Sequence, residues 1–137
     1  MEYLIGIWVY TSLIYQGTAI PRPDENLKMY FAFNSQSENQ LFYYRDHSVG
    51  HCRRTAVYSF RENKLYQKIT EVDPSNSADC AADPDMQPGR ESVVDLNVTE
   101  HCLYLTLPLG DETLTYVWQR ADSEGNSCSN PRQHLNT

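Results

Sequence analysis

Apolar and polar positions alternate with period two along most of this chain, the signature of strands with one buried and one wetted face. Eight such segments stand out, at residues 6–14, 27–34, 40–46, 53–60, 65–72, 92–98, 103–107 and 113–120. Met29, Phe31 and Phe33 oppose Lys28, Tyr30 and Asn34; Val94, Leu96 and Val98 oppose Asp95 and Asn97; Leu103, Leu105 and Leu107 oppose Tyr104 and Thr106. Turn-forming clusters at 35–39, 61–64 and 110–111 are short enough for hairpins. No segment carries a helical period, and no internal repeat is found. The pattern predicts an all-β fold.

Eight antiparallel strands with short links either stack as two sheets or close into one barrel, and both remove most exposed edge. The four cysteines, at 52, 80, 102 and 128, help to decide. In an up-and-down meander Cys52 and Cys80 fall in links at one end, and Cys102 and Cys128 fall at the other. A strand of this length spans about 25 Å, whereas bridged Cα atoms lie within about 7 Å. The meander therefore predicts Cys52–Cys80 and Cys102–Cys128. The resulting expectation is an eight-stranded antiparallel up-and-down β-barrel over residues 1–120. Residues 121–137 would form a polar C-terminal tail tied back through Cys128. Two links are long and proline-bearing, residues 15–26 and 73–91, and strand parity sets both at the same rim. They would lid a mouth, while short links close the opposite end.

Composition bounds the function. The 137 residues suit a single domain, and no apolar run reaches membrane-spanning length. A formal charge of −7 disfavours nucleic acid and anionic membranes as partners. Four cysteines without a C-x-x-C pair argue for disulfides, and so for a secreted or periplasmic protein. Met1 leads directly into Tyr3, Leu4 and Ile5 without a basic segment or cleavage site, so the chain reads as a mature form whose leader has been removed.

Gly6-Ile7-Trp8 opens the first strand, and Arg120 closes the last in Tyr116-Val117-Trp118-Gln119-Arg120. This combination resembles the lipocalin, or calycin, superfamily, whose G-x-W tryptophan and late arginine stack across the closed end of the barrel. The resemblance implies that Trp8 and Arg120 form that closure. The family's middle Asp-Tyr turn motif and its terminal helix are not recognisable here, which points to a shorter, bacterial lipocalin-like barrel. The glycine-rich opening of haem-binding nitrobindins is missing after Trp8, so no cofactor is expected.

With Trp8 inward, alternation sends Tyr10 and Ser12 inward too. Met29, Phe31, Phe33, Val94, Leu96, Leu103, Leu105, Leu114, Tyr116 and Trp118 follow. Phe42, Tyr44 and Tyr58 are expected companions, although their strands are aromatic on both faces and the register is open. Tyr10, Met29, Phe31, Phe33, Phe42, Tyr44, Tyr58, Leu105 and Tyr116 are therefore the candidate ligand-binding set. An eight-stranded barrel either fills its interior or holds one small ligand; two long rim links favour a pocket. Arg54 or Asp46 would orient a ligand near the rim if not simply solvated. His47, His51 and Cys52 resemble a metal cluster, but they flank a turn and a disulfide would consume the thiolate, so no metal is expected. The Asp73, Asn76, Asp79, Asp83 and Asp85 series lacks calcium-loop spacing and reads as a hydrated acidic loop. Neither a nucleophile elbow nor a phosphate loop is present. Asn97-Val98-Thr99 is a glycosylation sequon, meaningful only in a eukaryotic secretory host.

These features predict a non-enzymatic, monomeric or weakly dimeric barrel that binds a small hydrophobic or amphipathic, lipid-like molecule in its mouth. The alternative is a secreted or periplasmic interaction or inhibitor module with a packed barrel, using the acidic 73–91 link against a basic partner. A barrel isomerase or cyclase is a third reading, and would need a titratable group with shifted pKa deep in the interior.

Overall fold

Nine antiparallel strands form one continuous sheet that closes on itself. They are β1 (Gly6–Tyr15), β2 (Thr18–Pro21), β3 (Leu27–Phe33), β4 (Glu38–Arg45), β5 (Cys52–Arg61), β6 (Lys64–Val72), β7 (Glu91–Val98), β8 (Cys102–Leu109) and β9 (Glu112–Arg120). Two short 3-10 helices, η1 (Ala78–Ala82) and η2 (Pro84–Met86), lie between β6 and β7. The computed structural model describes residues 3–122 and Cys128. Sequential pairing runs from β3 to β9, and β1 joins β3 on one side and β9 on the other, closing an eight-strand barrel. Closure through the β1–β9 pairing removes most exposed edge and leaves β2 as an edge strand.

The first long link is partly a strand rather than a loop. β2 folds back on β1 from Ser12↔Pro21 to Tyr15↔Thr18. Gln16 and Gly17 make the two-residue turn, both with positive φ, 52° and 78°, as the twist of a tight hairpin demands. Pro21 ends β2 and is tolerated because β2 lies at the edge of the sheet, where a missing N–H costs no ladder bond.

A bulge at Thr11 changes which side chains enter the barrel. Tyr10 pairs with Trp118 but Ser12 pairs with Val117, leaving Thr11 as the extra residue. Its hydroxyl donates to the Val117 carbonyl. The bulge sends Leu13 into the core beside Trp8 and Tyr10. Ser12 thus shares the outer face with Val117, contrary to the alternation expected from Trp8. Outside the wall, Ile14, Cys102, Tyr104 and Val117 form a second apolar cluster, with Cys128 packed against it.

The base is sealed by Trp8 and Arg120. The guanidinium lies 4.2 Å from the indole centroid and donates to the carbonyls of Glu100 (2.7 Å), Ile5 (2.9 Å) and Tyr3. Trp8 itself donates through Nε1 to the Leu4 carbonyl at 3.0 Å. Both disulfides form as strand parity predicts, Cys52–Cys80 and Cys102–Cys128, each with Cα atoms 5.7 Å apart.

Candidate functional site

At the mouth, the 73–90 link is a folded plug, anchored through buried Cys80 and Met86 while Asp79 and Asp85 stay at the surface. Cys80 is buried and bonded to Cys52 at the start of β5. Asn76 pairs through its side-chain amide with both backbone groups of Arg53, and the Ser77 amide donates to the His51 carbonyl. Gly50, with φ of +102°, lets the β4–β5 link approach: a Cβ there would lie 1.9 Å from Ser77 Oγ. Asp83 accepts from the Asp85 amide and starts η2, and its carboxylate also accepts from the Tyr43 hydroxyl. Met86 then drops into the core, 3% exposed.

Three of the four acidic residues of this link, Asp73, Asp83 and Asp85, help to hold it together. Asp73 accepts from the Ser75 amide and hydroxyl and lies 3.4 Å from His51 Nε2. Those hydrogen bonds hold its carboxyl below the usual range. Asp85 pairs with Arg90 at 3.0 Å. His51 is turned to Asp73 and Ser75 while Cys52 is in a disulfide, so the His47-His51-Cys52 series does not converge on one point.

Below the plug, exposure falls with depth. Tyr43, Met29, Leu114 and Tyr116 near the rim are only partly buried, whereas Trp8, Phe33, Leu65, Leu96 and Leu103 towards the base are almost wholly buried. Rings connect the two levels. Phe33 touches Phe31 at 4.6 Å and Tyr58 at 5.1 Å, Phe31 touches Trp118 at 5.5 Å, and Tyr10 bridges Trp118 at 5.7 Å and Tyr116 at 5.6 Å. Burial pushes the Tyr10 hydroxyl up to about 12, reinforced by Tyr116 and opposed by Arg22. Tyr43 is pushed up by burial and by its bond to Asp83. The Tyr58 hydroxyl donates to the Ser35 carbonyl at 2.5 Å, fixing its ring at the base.

Of the candidate ligand-binding set, Tyr10, Met29, Phe31, Phe33, Tyr58, Leu105 and Tyr116 belong to the inner cluster or pack against it. Phe42 and Tyr44 do not. β4 sends Asn39, Leu41 and Tyr43 inward, so Phe42 and Tyr44 face outward beside Tyr30 and His51, with Arg53 over the Phe42 ring. Both faces of β4 are aromatic, and only its partners fix which face is dry. Asp46 is at the surface, paired with Lys28 at 3.1 Å.

Arg54 is inside. It is 3% exposed, with Nη1 donating to Asn39 Oδ1 at 2.6 Å and Cζ 5.3 Å from the Phe31 centroid. Asn39 in turn donates to Gln67 Oε1 at 3.1 Å. Of the two charges expected near the rim, Arg54 is thus the interior one, and its partners Asn39 and Gln67 are new; the signal for its direction is that Cys52 must face the plug to reach Cys80, and alternation along β5 then turns Arg54 the same way.

The wall also has a lateral cleft. β1 leaves β3 after Val9↔Tyr30 and takes up β2 from Ser12↔Pro21. An open cleft of about 570 Å³ lies there, lined by Val9, Tyr10, Thr11, Pro21, Arg22, Glu25 and Lys28.

No protein-family model and no curated protein matches the chain. Among solved structures it matches a lipocalin-like protein from Bacteroides uniformis, with a TM-score of 0.56 and 13% identity. The match covers 85% of this chain and 97% of that one. The fold is lipocalin-like. At this identity the likeness carries architecture alone. In this lipocalin-like barrel the interior beneath the plug is the candidate site, because there rings, a buried cation and the Met86 side chain of the plug meet.

Proposed function

We propose that this protein is a non-enzymatic binder of one small apolar or amphipathic molecule, held in the mouth half of the barrel in a secreted or periplasmic setting. The observation that carries the reading is the gradient beneath the plug: a densely packed base gives way to partly buried Met29, Tyr43, Leu114 and Tyr116 under a tethered segment whose Met86 fills the mouth. Methionine is a flexible, polarisable filler of irregular gaps, a side chain that a ligand of similar polarity can replace. Displacing it frees apolar surface at the point where the plug meets the wall. The two disulfides suit an oxidising compartment.

The interaction-module reading has less support. It requires a free acidic surface on the 73–90 link, yet Asp73, Asp83 and Asp85 are engaged with Ser75, Tyr43 and Arg90. Native mass spectrometry of protein purified from its own host separates the two readings. A co-purified small molecule, lost on denaturation, supports the carrier. The bare polypeptide mass, unchanged after incubation with apolar compounds, supports the packed module.

A further inference from the structure

The outer face of the wall carries a run of aromatic rings that has no part in the interior site. Residues paired across strands show their side chains on the same face, and the pairs Tyr30↔Phe42 and Lys28↔Tyr44 set two outward rows side by side on β3 and β4. The Tyr30 and Phe42 rings are stacked with centroids 6.3 Å apart, and Tyr44 follows 5.7 Å from Phe42. The Tyr30 hydroxyl acts on that of Tyr44, and Arg53 closes the far side over Phe42. All three rings are only half-buried.

This platform borders the lateral cleft, because Val9 and Lys28, which line the cleft, are the ladder partners of Tyr30 and Tyr44. The cleft opens where β1 has left β3 and not yet met β2, so Tyr10 and Thr11 have no strand partner on that side. Its volume of about 570 Å³ is that of a small-molecule site. The surroundings are polar but balanced in charge. Lys28 pairs with Asp46 at 3.1 Å and Arg45 with Asp24 at 2.9 Å, while Arg22 stands beside Glu25 and donates to its carbonyl at 3.1 Å.

We propose that the cleft and the ring platform together bind a neutral oligosaccharide on the outside of the barrel. This site goes beyond the carrier reading and does not depend on it. A pyranose has faces of weakly positive C–H groups and a rim of hydroxyls. Its faces fit the negative faces of aromatic rings. Each hydroxyl both donates and accepts, and the Lys28–Asp46 and Arg45–Asp24 pairs offer a donor and an acceptor side by side. The matched charges suit an uncharged ligand, whereas a phosphate chain or a uronate needs a surplus of cations. An added peptide strand would need a longer free ladder than the two residues β1 leaves unpaired here.

The test follows the ring resonances of Tyr30, Phe42 and Tyr44 in the intact, disulfide-bonded protein during separate titrations with cellotriose, maltotriose and triacetylchitotriose. At least one of these neutral trisaccharides should give saturable, one-to-one shifts at the three rings and leave the Met86 methyl and the Trp118 indole unmoved. Tyr44→Ala should weaken that binding about tenfold. Val93→Ala, at an exposed position on β7, should leave it unchanged. If Tyr44→Ala does not fold, Lys28→Met, which removes a donor from the cleft, carries the same expectation. Full affinity in whichever of the two is measured would contradict the proposal. Tighter binding of trigalacturonate than of the neutral sugars would overturn the uncharged assignment. Shifts at Met86 and Trp118 with the outer rings fixed would put the sugar inside the barrel and overturn the site. If none of the three sugars saturates, the proposal fails and the carrier reading stands.

Discussion

Arg120 lies over Trp8 at 4.2 Å while the same guanidinium gathers the carbonyls of Tyr3, Ile5 and Glu100. One side chain thereby ties the N-terminal segment and the β7–β8 link to the end of β9, at the place where the sheet must join its own first strand. Replacing Arg120 with Met keeps the apolar stem over the indole and removes the charge and five donors. The expected loss is about 2 kcal/mol of unfolding free energy, read from urea midpoints, with Trp8 becoming more accessible to quencher.

The Cys52–Cys80 bridge closes a separation of 28 residues and holds the plug against β5. Its removal in a Cys52→Ala, Cys80→Ala double variant should cost about 3.5 kcal/mol by loop-closure entropy. Faster amide exchange should be confined to residues 73–90 and the neighbouring turn at 46–51. Removing Cys102–Cys128, of separation 26, should cost a comparable amount and leave exchange in the plug unchanged.

Alkaline titration reports the depth of the tyrosines. Burial raises Tyr10 to about 12 and also raises Tyr58, Tyr116 and, helped by Asp83, Tyr43. A phenol whose folded pKa is raised stays neutral in the folded state while the unfolded chain ionises from about pH 10. Stability should therefore be intact below pH 10 and fall progressively as the pH rises towards 12. Ultraviolet titration should show an early fraction near pH 10 and a late fraction that appears only with unfolding. A single transition near pH 10 would mean that the inner hydroxyls are solvated.

Phe31 and Phe42 are neighbours in chain class but not in environment. Phe31→Ala should cost about 3–5 kcal/mol, because a buried ring leaves a cavity between Phe33, Trp118 and Arg54. Phe42→Ala removes only outer-face contacts with Tyr30, Tyr44 and Arg53, and about 1 kcal/mol is expected. Parallel denaturation curves check both.

Much of this architecture is legible from period-two patterning. The ends of the eight wall strands fall within two residues of their expected positions, as at β4, expected over 40–46 and found over Glu38–Arg45. Strand parity was enough to pair the cysteines, because bridged residues must share an end of the barrel. The errors have local causes. Alternation cannot see a bulge, so Thr11 inverts the expected direction of Ser12 and brings Leu13 into the core. Nor can it choose a dry face where Leu41 and Tyr43 alternate with Phe42 and Tyr44. Pro21 and Pro23 masked β2, an edge strand that tolerates them. The acidic composition of the plug suggests hydration, and Asp79 and Asp85 are indeed exposed, but composition does not show that Asp83, Asp73 and Asp85 also hold the segment through Tyr43, Ser75 and Arg90. Arg54 is legible as an orienting charge near the rim, but its burial and its partners Asn39 and Gln67 are not, because arginine is a surface residue by default and only the direction of Cys52 betrays it.

The central claim is that a small amphipathic molecule enters the barrel where Met86 now sits. Nuclear magnetic resonance of the Met86 methyl group and the Trp118 indole, followed during titration with octanoate, tests it most directly. The account predicts saturable, one-to-one shifts at both probes, with Phe42 and Tyr44 on the outer face unchanged. Shifts confined to the outer rings, or none that saturate at Met86, would contradict it.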